Sequence, residues 1–285
     1  MRDVRELLAA AVAAVGGDER PGQVAMAEAV HHTFDSEDEQ HLLVQAGTGT
    51  GKSLAYLVPA LALDRPVIVA TATLALQAQI VGRDLPRTVA ALQPLLGRTP
   101  TYAILKGRSN YACLHRVNDG VPDEQGELVP VPPTTGLGRE VRRLHAWARK
   151  TSTGDRDDLD FAASDRAWAQ VSVSARECLG ASRCPYGQEC FAERAREAAR
   201  SADVIVTNHA LLAIDALENR HILPEHDAVV IDEAHELVAR VTGVATDDLT
   251  AYAVEKAARR CRPHVDDDSV DDLLDAGEHL REAWT

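Results

Sequence analysis

The residues "QAGTGTGKS" at 45–53 constrain this 285-residue chain more than any other stretch. Glycines at alternate positions let backbone N–H groups turn toward a phosphate, and the N-terminus of a following helix favours the anion. Upstream, "HLLVQA" (41–46) reads as a buried strand. Downstream, "KSLAYLVPALAL" (52–63) has helical spacing. The loop therefore stands in the strand–turn–helix context that a nucleotide phosphate site requires. Ala46, Gly47, Thr48, Gly49, Thr50 and Gly51 would form the cradle, Lys52 would reach the β- and γ-phosphates, and the Ser53 hydroxyl would ligate Mg²⁺. The general pattern G-x-x-x-x-G-K-[ST] has glycine where this chain has Ala46.

Further apolar runs rich in β-branched residues follow: "PVIVAT" (66–71), "TYAIL" (101–105), "DVIVTN" (203–208) and "AVVID" (228–232). With "HLLVQA" they read as buried parallel strands. "TLALQAQIVGRDL" (73–85) and the phosphate-loop helix lie between them, so the expected fold is an α/β sheet with helices on both faces. Two segments, 117–138 and 151–160, read as loops, the first of them mobile, and 113–200 looks inserted between two strands. Beyond 240 the pattern is helical and acidic.

The run "AVVIDEAHEL" (228–237) ends a strand in Asp-Glu-Ala-His. A carboxylate at a strand's C-terminal end, facing a phosphate loop, is where a second Mg²⁺ contact belongs. Asp232 would hold the metal through water, Glu233 would orient or deprotonate the attacking water, and His235 would couple this site to a nucleic-acid groove. Arg20 and Gln23 precede a helix, and a Gln amide can pair with an adenine edge, which selects ATP.

The net charge of −14 argues against a nucleic-acid partner only until its distribution is read. The two ends, 1–40 and 242–285, carry most of the excess acid, whereas 85–118 holds five Arg or Lys and no acid. No run has the features of a signal peptide or a membrane span, so a cytoplasmic protein is expected. In that compartment five cysteines read as metal ligands or free thiols. Cys178, Cys184 and Cys190 are separated by five residues each, with Cys113 far upstream. Positions six apart on one helix rotate by about 240°, so this segment must wrap as loop and turn to aim three thiols at one point. Spacing alone leaves iron–sulfur and zinc open. Cys261 lies outside the set.

The phosphate loop follows the A-x-T-G-x-G-K-[ST] variant of superfamily 2 helicases. Thr73 in "TATLALQAQI" resembles the motif whose hydroxyls touch DNA phosphates. Together with R-P-G-Q (20–23), "VTNHALL" and D-E-A-H, the set resembles the DinG/XPD family, most closely its bacterial DinG branch. The resemblance implies ATP-dependent 5′→3′ movement on single-stranded DNA, with roles in repair, recombination and R-loop removal. It implies a RecA-like motor lobe (1–112 and 201–240), a mainly helical iron–sulfur insert (113–200) and the beginning of a helical arch domain (241–285). It also implies a [4Fe–4S] cluster on Cys113, Cys178, Cys184 and Cys190. Lys106, Arg108, Tyr111 and Tyr186 could then supply phosphate contacts and base stacking along the strand.

Some family members carry an N-terminal exonuclease domain, for which too little chain precedes the phosphate loop here. The second motor lobe with its arginine finger is also missing, so the chain is expected to be a monomeric fragment that binds nucleotide weakly and does not unwind forked or R-loop DNA alone. A nucleotide-gated DNA-binding module without unwinding activity is the alternative. A small-molecule P-loop kinase is disfavoured by D-E-A-H and the cysteine insert.

Overall fold

The run Val67–Thr71 (β1) is buried at every position, as a strand must be when it has a ladder on both edges and helices on both faces. It pairs in parallel with β3 (Val204–Asn208) on one side and with β4 (Ala228–Ile231) on the other, and β3 pairs in turn with β2 (Tyr102–Ile104). The sheet is four-stranded and parallel, in the order β2-β3-β1-β4. Val67 lies opposite Val204 and Ala228, and Ile68 lies opposite Ile205 and Val229. In this computed structural model the described residues are 3–38, 41–47, 49–119, 135–218 and 222–283.

In chain order the helices begin with α1 (Val4–Ala14), α2 (Pro21–Asp35), α3 (Lys52–Ala62), α4 (Leu74–Gln79) and α5 (Leu85–Leu96). Next come α6 (Leu114–Asp119), α7 (Gly136–Ala148), α8 (Asp165–Trp168) and α9 (Phe191–Arg200). The last are α10 (His209–Glu218), α11 (Leu237–Ala245), α12 (Ala251–Cys261) and α13 (Asp267–Ala283).

Side chains of successive strand residues point to opposite faces, and the core divides accordingly. Val67, Val69, Val204 and Val206 pack with Leu7, Leu8, Tyr56, Leu57, Leu61 and Leu92 of α1, α3 and α5. Ile68 and Ile205 pack on the other face with Leu105, Ala199 and Leu211. This is the α/β architecture expected from the alternating pattern, and it is consistent with a RecA-like motor lobe.

The expected strand at 41–46 is absent. Residues 41–47 carry no ladder, and Leu43 is 93% exposed. Val44 is its only β-branched residue, so its intrinsic strand preference is low and pairing alone could hold it extended. Among the described residues β4 pairs only with β1. The run 73–85 also departs from a single helix: α4 passes into a π-helical turn at Ile80–Asp84 before α5. Such a wider turn depends on packing and leaves no mark in the apolar spacing.

The chain divides into two compact units. One comprises residues 1–107 and 192–244 and contains the sheet; the other comprises 108–191 and 245–285. In the second unit, Tyr111 and Ala112 form isolated antiparallel bridges to Asp155 and Ser172. The Trp168 indole N–H donates to Ser109 O at 2.7 Å, and its ring lies 6.1 Å from that of Trp147. Thr135, Ser164 and Thr250 cap α7, α8 and α12 through their hydroxyls. Of the loop expected at 117–138, residues 117–119 belong to α6 and 136–138 to α7, and 120–134 lie outside the described residues. No helix of the described residues is long and apolar enough to cross a membrane.

Candidate nucleotide-binding site

The phosphate loop ends where α3 begins. Gly49 and Gly51 both take left-handed backbone, at φ +75° and +84°, which an L side chain rarely adopts. Gly51 has a second constraint, since an added Cβ would overlap the Gln23 amide. Gln23 is buried, and its amide donates to Gly51 O at 3.0 Å. The residue expected to read adenine thus braces the loop from behind, while Arg20 is exposed at the start of α2. The Thr50 hydroxyl donates to Gly47 O at 2.9 Å and closes the turn. Ala46 is half-buried, and Thr48 lies outside the described residues.

D-E-A-H faces this loop. Lys52 Nζ donates to Glu233 Oε1 at 2.7 Å, an ion pair that joins positions far apart in the chain. The hydrogen bond from Lys52, with its charge, holds the Glu233 carboxyl below the usual carboxylate range despite partial burial. Asp232 is buried at the end of β4, where its N–H donates to Ala70 O and its Oδ2 accepts from the Tyr56 hydroxyl at 3.1 Å. Burial and the Asp232 charge push the Tyr56 phenol well above its ordinary range, so it stays a neutral donor. His235 is exposed, with Nδ1 3.5 Å from Glu233 Oε2 and Nε2 3.6 Å from Glu236 Oε1.

Two residues near this centre were not singled out from sequence. Tyr56 lies one turn beyond Lys52 on α3 and reads as an ordinary core aromatic. His209, buried at the start of α10, shares a hydrogen bond of 2.9 Å between its Nε2 and Asp232 O. The quoted run "VTNHALL" contained His209 but gave no reason to assign it a role. Both expected Mg²⁺ contacts bear on the Tyr56 hydroxyl, which donates to Asp232 Oδ2 at 3.1 Å and whose upward pKa shift Ser53 opposes. That pair of hard oxygen donors fits Mg²⁺.

The four expected cluster cysteines fall in one unit, half-buried and without disulfides. Residues 175–189 wrap as turns, as the thiol spacing demands. Burial pushes the Cys113 thiol up, the N–H groups of Arg116 and His115 pull it down, and charge at Cys178 and Cys184 pushes it up again. Arg116 donates to Ala169 O at 2.7 Å and to Glu177 Oε1 at 3.3 Å, tying the arm of Cys113 to the residue before Cys178. Among the described residues no group of three or more His, Cys, Asp or Glu is gathered closely enough to hold a metal ion. Cys113 thus feels the charge of Cys178 and Cys184, and by its chemistry the donor set, four half-buried thiols, suits iron–sulfur or zinc alike.

The expected strand contacts are placed unevenly. Thr73 is exposed at the start of α4, where its hydroxyl accepts from Leu76 N–H. Arg108 is half-buried. Lys106 and Tyr111 are buried, at 4% and 3% exposure, and neither presents its side chain to solvent. The Tyr186 hydroxyl donates to Asp119 Oδ1 at 3.0 Å, and its ring lies 6.4 Å from that of His115. Sequence spacing marks charge and aromaticity but not which face of a fold will carry them.

Residues 20–96 match the family model described as DEAD/DEAH box helicase. Over 274 residues the chain is 58% identical to the ATP-dependent helicase DinG of Mycobacterium tuberculosis (strain ATCC 25618 / H37Rv), covering 92% of this chain and 41% of that protein. The ATP-dependent DNA helicase YoaA of Escherichia coli (strain K12) is 40% identical over 223 residues, covering 76% of this chain and 33% of its own length. The Bacillus subtilis (strain 168) protein named 3'-5' exonuclease DinG is 32% identical over 225 residues, covering 77% and 23% respectively. The chain thus spans about two fifths of the mycobacterial relative.

Proposed function

Because the chain belongs to the DinG family of DEAD/DEAH-box helicases, we propose that it is the nucleotide-binding part of an ATP-dependent DNA helicase moving 5′→3′ on single-stranded DNA. The observation that carries this reading is the 2.7 Å pair between Lys52 and Glu233, which sets the phosphate loop directly against D-E-A-H. The β- and γ-phosphates of ATP carry more charge than one carboxylate and would draw Lys52 away from Glu233. Glu233, released, would orient the attacking water. Ser53 and Asp232 would hold Mg²⁺, which when bound neutralises charge on the phosphates. Gln23 supports the loop through Gly51 O, and His235, exposed beside Glu233, would couple the nucleotide site to a nucleic-acid groove.

Cys113, Cys178, Cys184 and Cys190 would hold a [4Fe–4S] cluster, which when bound pins their unit. Thr73 in the sheet unit, and Arg108 and Tyr186 in the other, are each proposed as strand contacts. Lys106 and Tyr111 would have to be uncovered before touching DNA. Forked or R-loop DNA in repair and recombination is the proposed substrate.

The test is Glu233→Gln in the full-length protein. DNA-stimulated ATP hydrolysis should fall by a factor on the order of 10² or more, ATP binding should persist, and strand displacement from a 5′-tailed fork should stop. A wild-type protein that binds ATP and DNA but never displaces a strand would instead be a nucleotide-gated DNA-binding module.

A further inference from the structure

Glu233 is the one non-glycine among the described residues with left-handed backbone, at φ 54° and ψ 46°. Such a conformation persists only where its surroundings over-determine it. Here the peptide joining Asp232 to Glu233 is held at both ends. Its carbonyl oxygen accepts from His209 Nε2 at 2.9 Å, and its N–H donates to Asp232 Oδ1 at 3.1 Å. The other carboxylate oxygen, Oδ2, accepts from Tyr56.

The two outside grips come from rigid elements. Lys52 and Tyr56 stand at i and i+4 on α3 and so share one face of the helix. Two successive turns of α3 therefore take hold of two successive residues of D-E-A-H, Lys52 on Glu233 and Tyr56 on Asp232. His209 opens α10, whose first turn is fixed by Asn208 Oδ1 accepting from Leu211 N–H at 2.8 Å. Donation to a carbonyl requires the proton on Nε2, so the ring is held as the Nε2–H tautomer. Its Nδ1 is left buried without a partner among the described residues. A buried acceptor left unmatched is costly and calls for an explanation, and gripping the Asp232 carbonyl supplies one.

We propose that Tyr56 and His209 are positioning residues that lock Asp232 and Glu233 against the phosphate loop, Tyr56 through the carboxylate and His209 through the carbonyl. The inference rests on the reading of this site as a nucleotide hydrolase. Neither residue needs to touch the nucleotide: His209 acts through Asp232, and Tyr56 through Asp232 and the neighbouring Ser53. Tyr56→Phe keeps the buried ring and removes only the hydroxyl. His209→Gln can return an amide N–H to the Nε2 position, whereas His209→Asn is too short to reach it.

The variants are placed in the full-length protein and read by steady-state ATPase with DNA, by Mn²⁺ binding to the ADP complex in electron paramagnetic resonance, and by thermal melting. Tyr56→Phe should lower kcat about tenfold with KM for ATP little changed, as expected for losing a hydrogen bond to a charged group. It should also weaken Mn²⁺ binding severalfold. His209→Asn should lower kcat similarly, and His209→Gln should recover at least a fivefold share of that loss. Unchanged kcat and Mn²⁺ affinity in Tyr56→Phe would overturn the proposal. So would equal losses in His209→Gln and His209→Asn that track their melting temperatures, since packing alone would then account for the ring. A wild type with no DNA-stimulated hydrolysis would overturn the functional reading itself, and the Mn²⁺ arm would still decide the clamp.

Discussion

At the scale of single residues, Gly51 carries two demands at once. Its φ of +84° excludes most side chains, and the space where a Cβ would stand belongs to the Gln23 amide. Left-handed backbone costs a non-glycine residue about 1–2 kcal/mol. Gly51→Ala adds to that the displacement of Gln23, whose amide then loses its bond to Gly51 O in a buried setting. The variant should be destabilised by about 2–4 kcal/mol and should bind ATP at least tenfold more weakly, measured by urea denaturation and by fluorescent-nucleotide titration. Gly47→Ala is the control, because nothing lies within 4 Å of a Cβ built there and its φ lies outside the left-handed region. Equal stability of the two variants would show that Gln23 does not brace the loop. Glycine spacing made the loop legible in the sequence, but the brace was not, since it joins residues 28 positions apart through a packing contact.

At the scale of elements, high β-branched content marks three of the four strands that formed. "VIVAT", "VIVTN" and "AVVI" became β1, β3 and β4, and the short β2 completes the edge. "HLLVQA" is apolar at four of its six positions, yet Leu43 stands 93% exposed. Parallel pairing is non-local, so a run of apolar residues cannot announce its own ladder. The same limit hid Tyr56 and His209, whose roles depend on α3, α10 and β4 meeting at Asp232. Substitutions distinguish the cases. Leu43→Ser should change the stability of this chain by less than about 0.5 kcal/mol, as at an exposed site. Ile68→Ala, at a fully buried position of β1, should cost about 2–5 kcal/mol. Chemical denaturation of both variants reads the difference, and a cost above about 2 kcal/mol for Leu43→Ser would return 41–46 to the sheet.

At the scale of the whole molecule, the two units differ in what holds them together. The sheet unit buries aliphatic side chains on both faces of its strands. Among the described residues, the unit formed by 108–191 and 245–285 buries fewer large ones, among them Tyr111, Leu144, Trp168 and Phe191. Its polar ties include the Trp168 indole on Ser109 O and the buried Arg116 reaching Glu177. A unit with a thin core needs a further staple, and the four half-buried thiols are the residues present to supply one. Metal bound to thiolates contributes directly to folding, because the unfolded chain has no assembled site. On the proposed cluster reading, anaerobically purified protein should be brown with matched iron and acid-labile sulfide, and replacing any one of Cys113, Cys178, Cys184 or Cys190 by Ser should remove both. Limited proteolysis of those variants should cut within 108–191 first while residues 49–107 stay protected, and ATP should still bind. Cys261→Ser should leave colour, iron content and cleavage pattern as in the wild type, since Cys261 is exposed at the end of α12 and belongs to no cluster of thiols. Colourless wild-type protein with one zinc per chain would replace the iron–sulfur assignment. Coloured protein whose cleavage pattern is indifferent to the four cysteines would keep the cluster but deny it any part in holding this unit together.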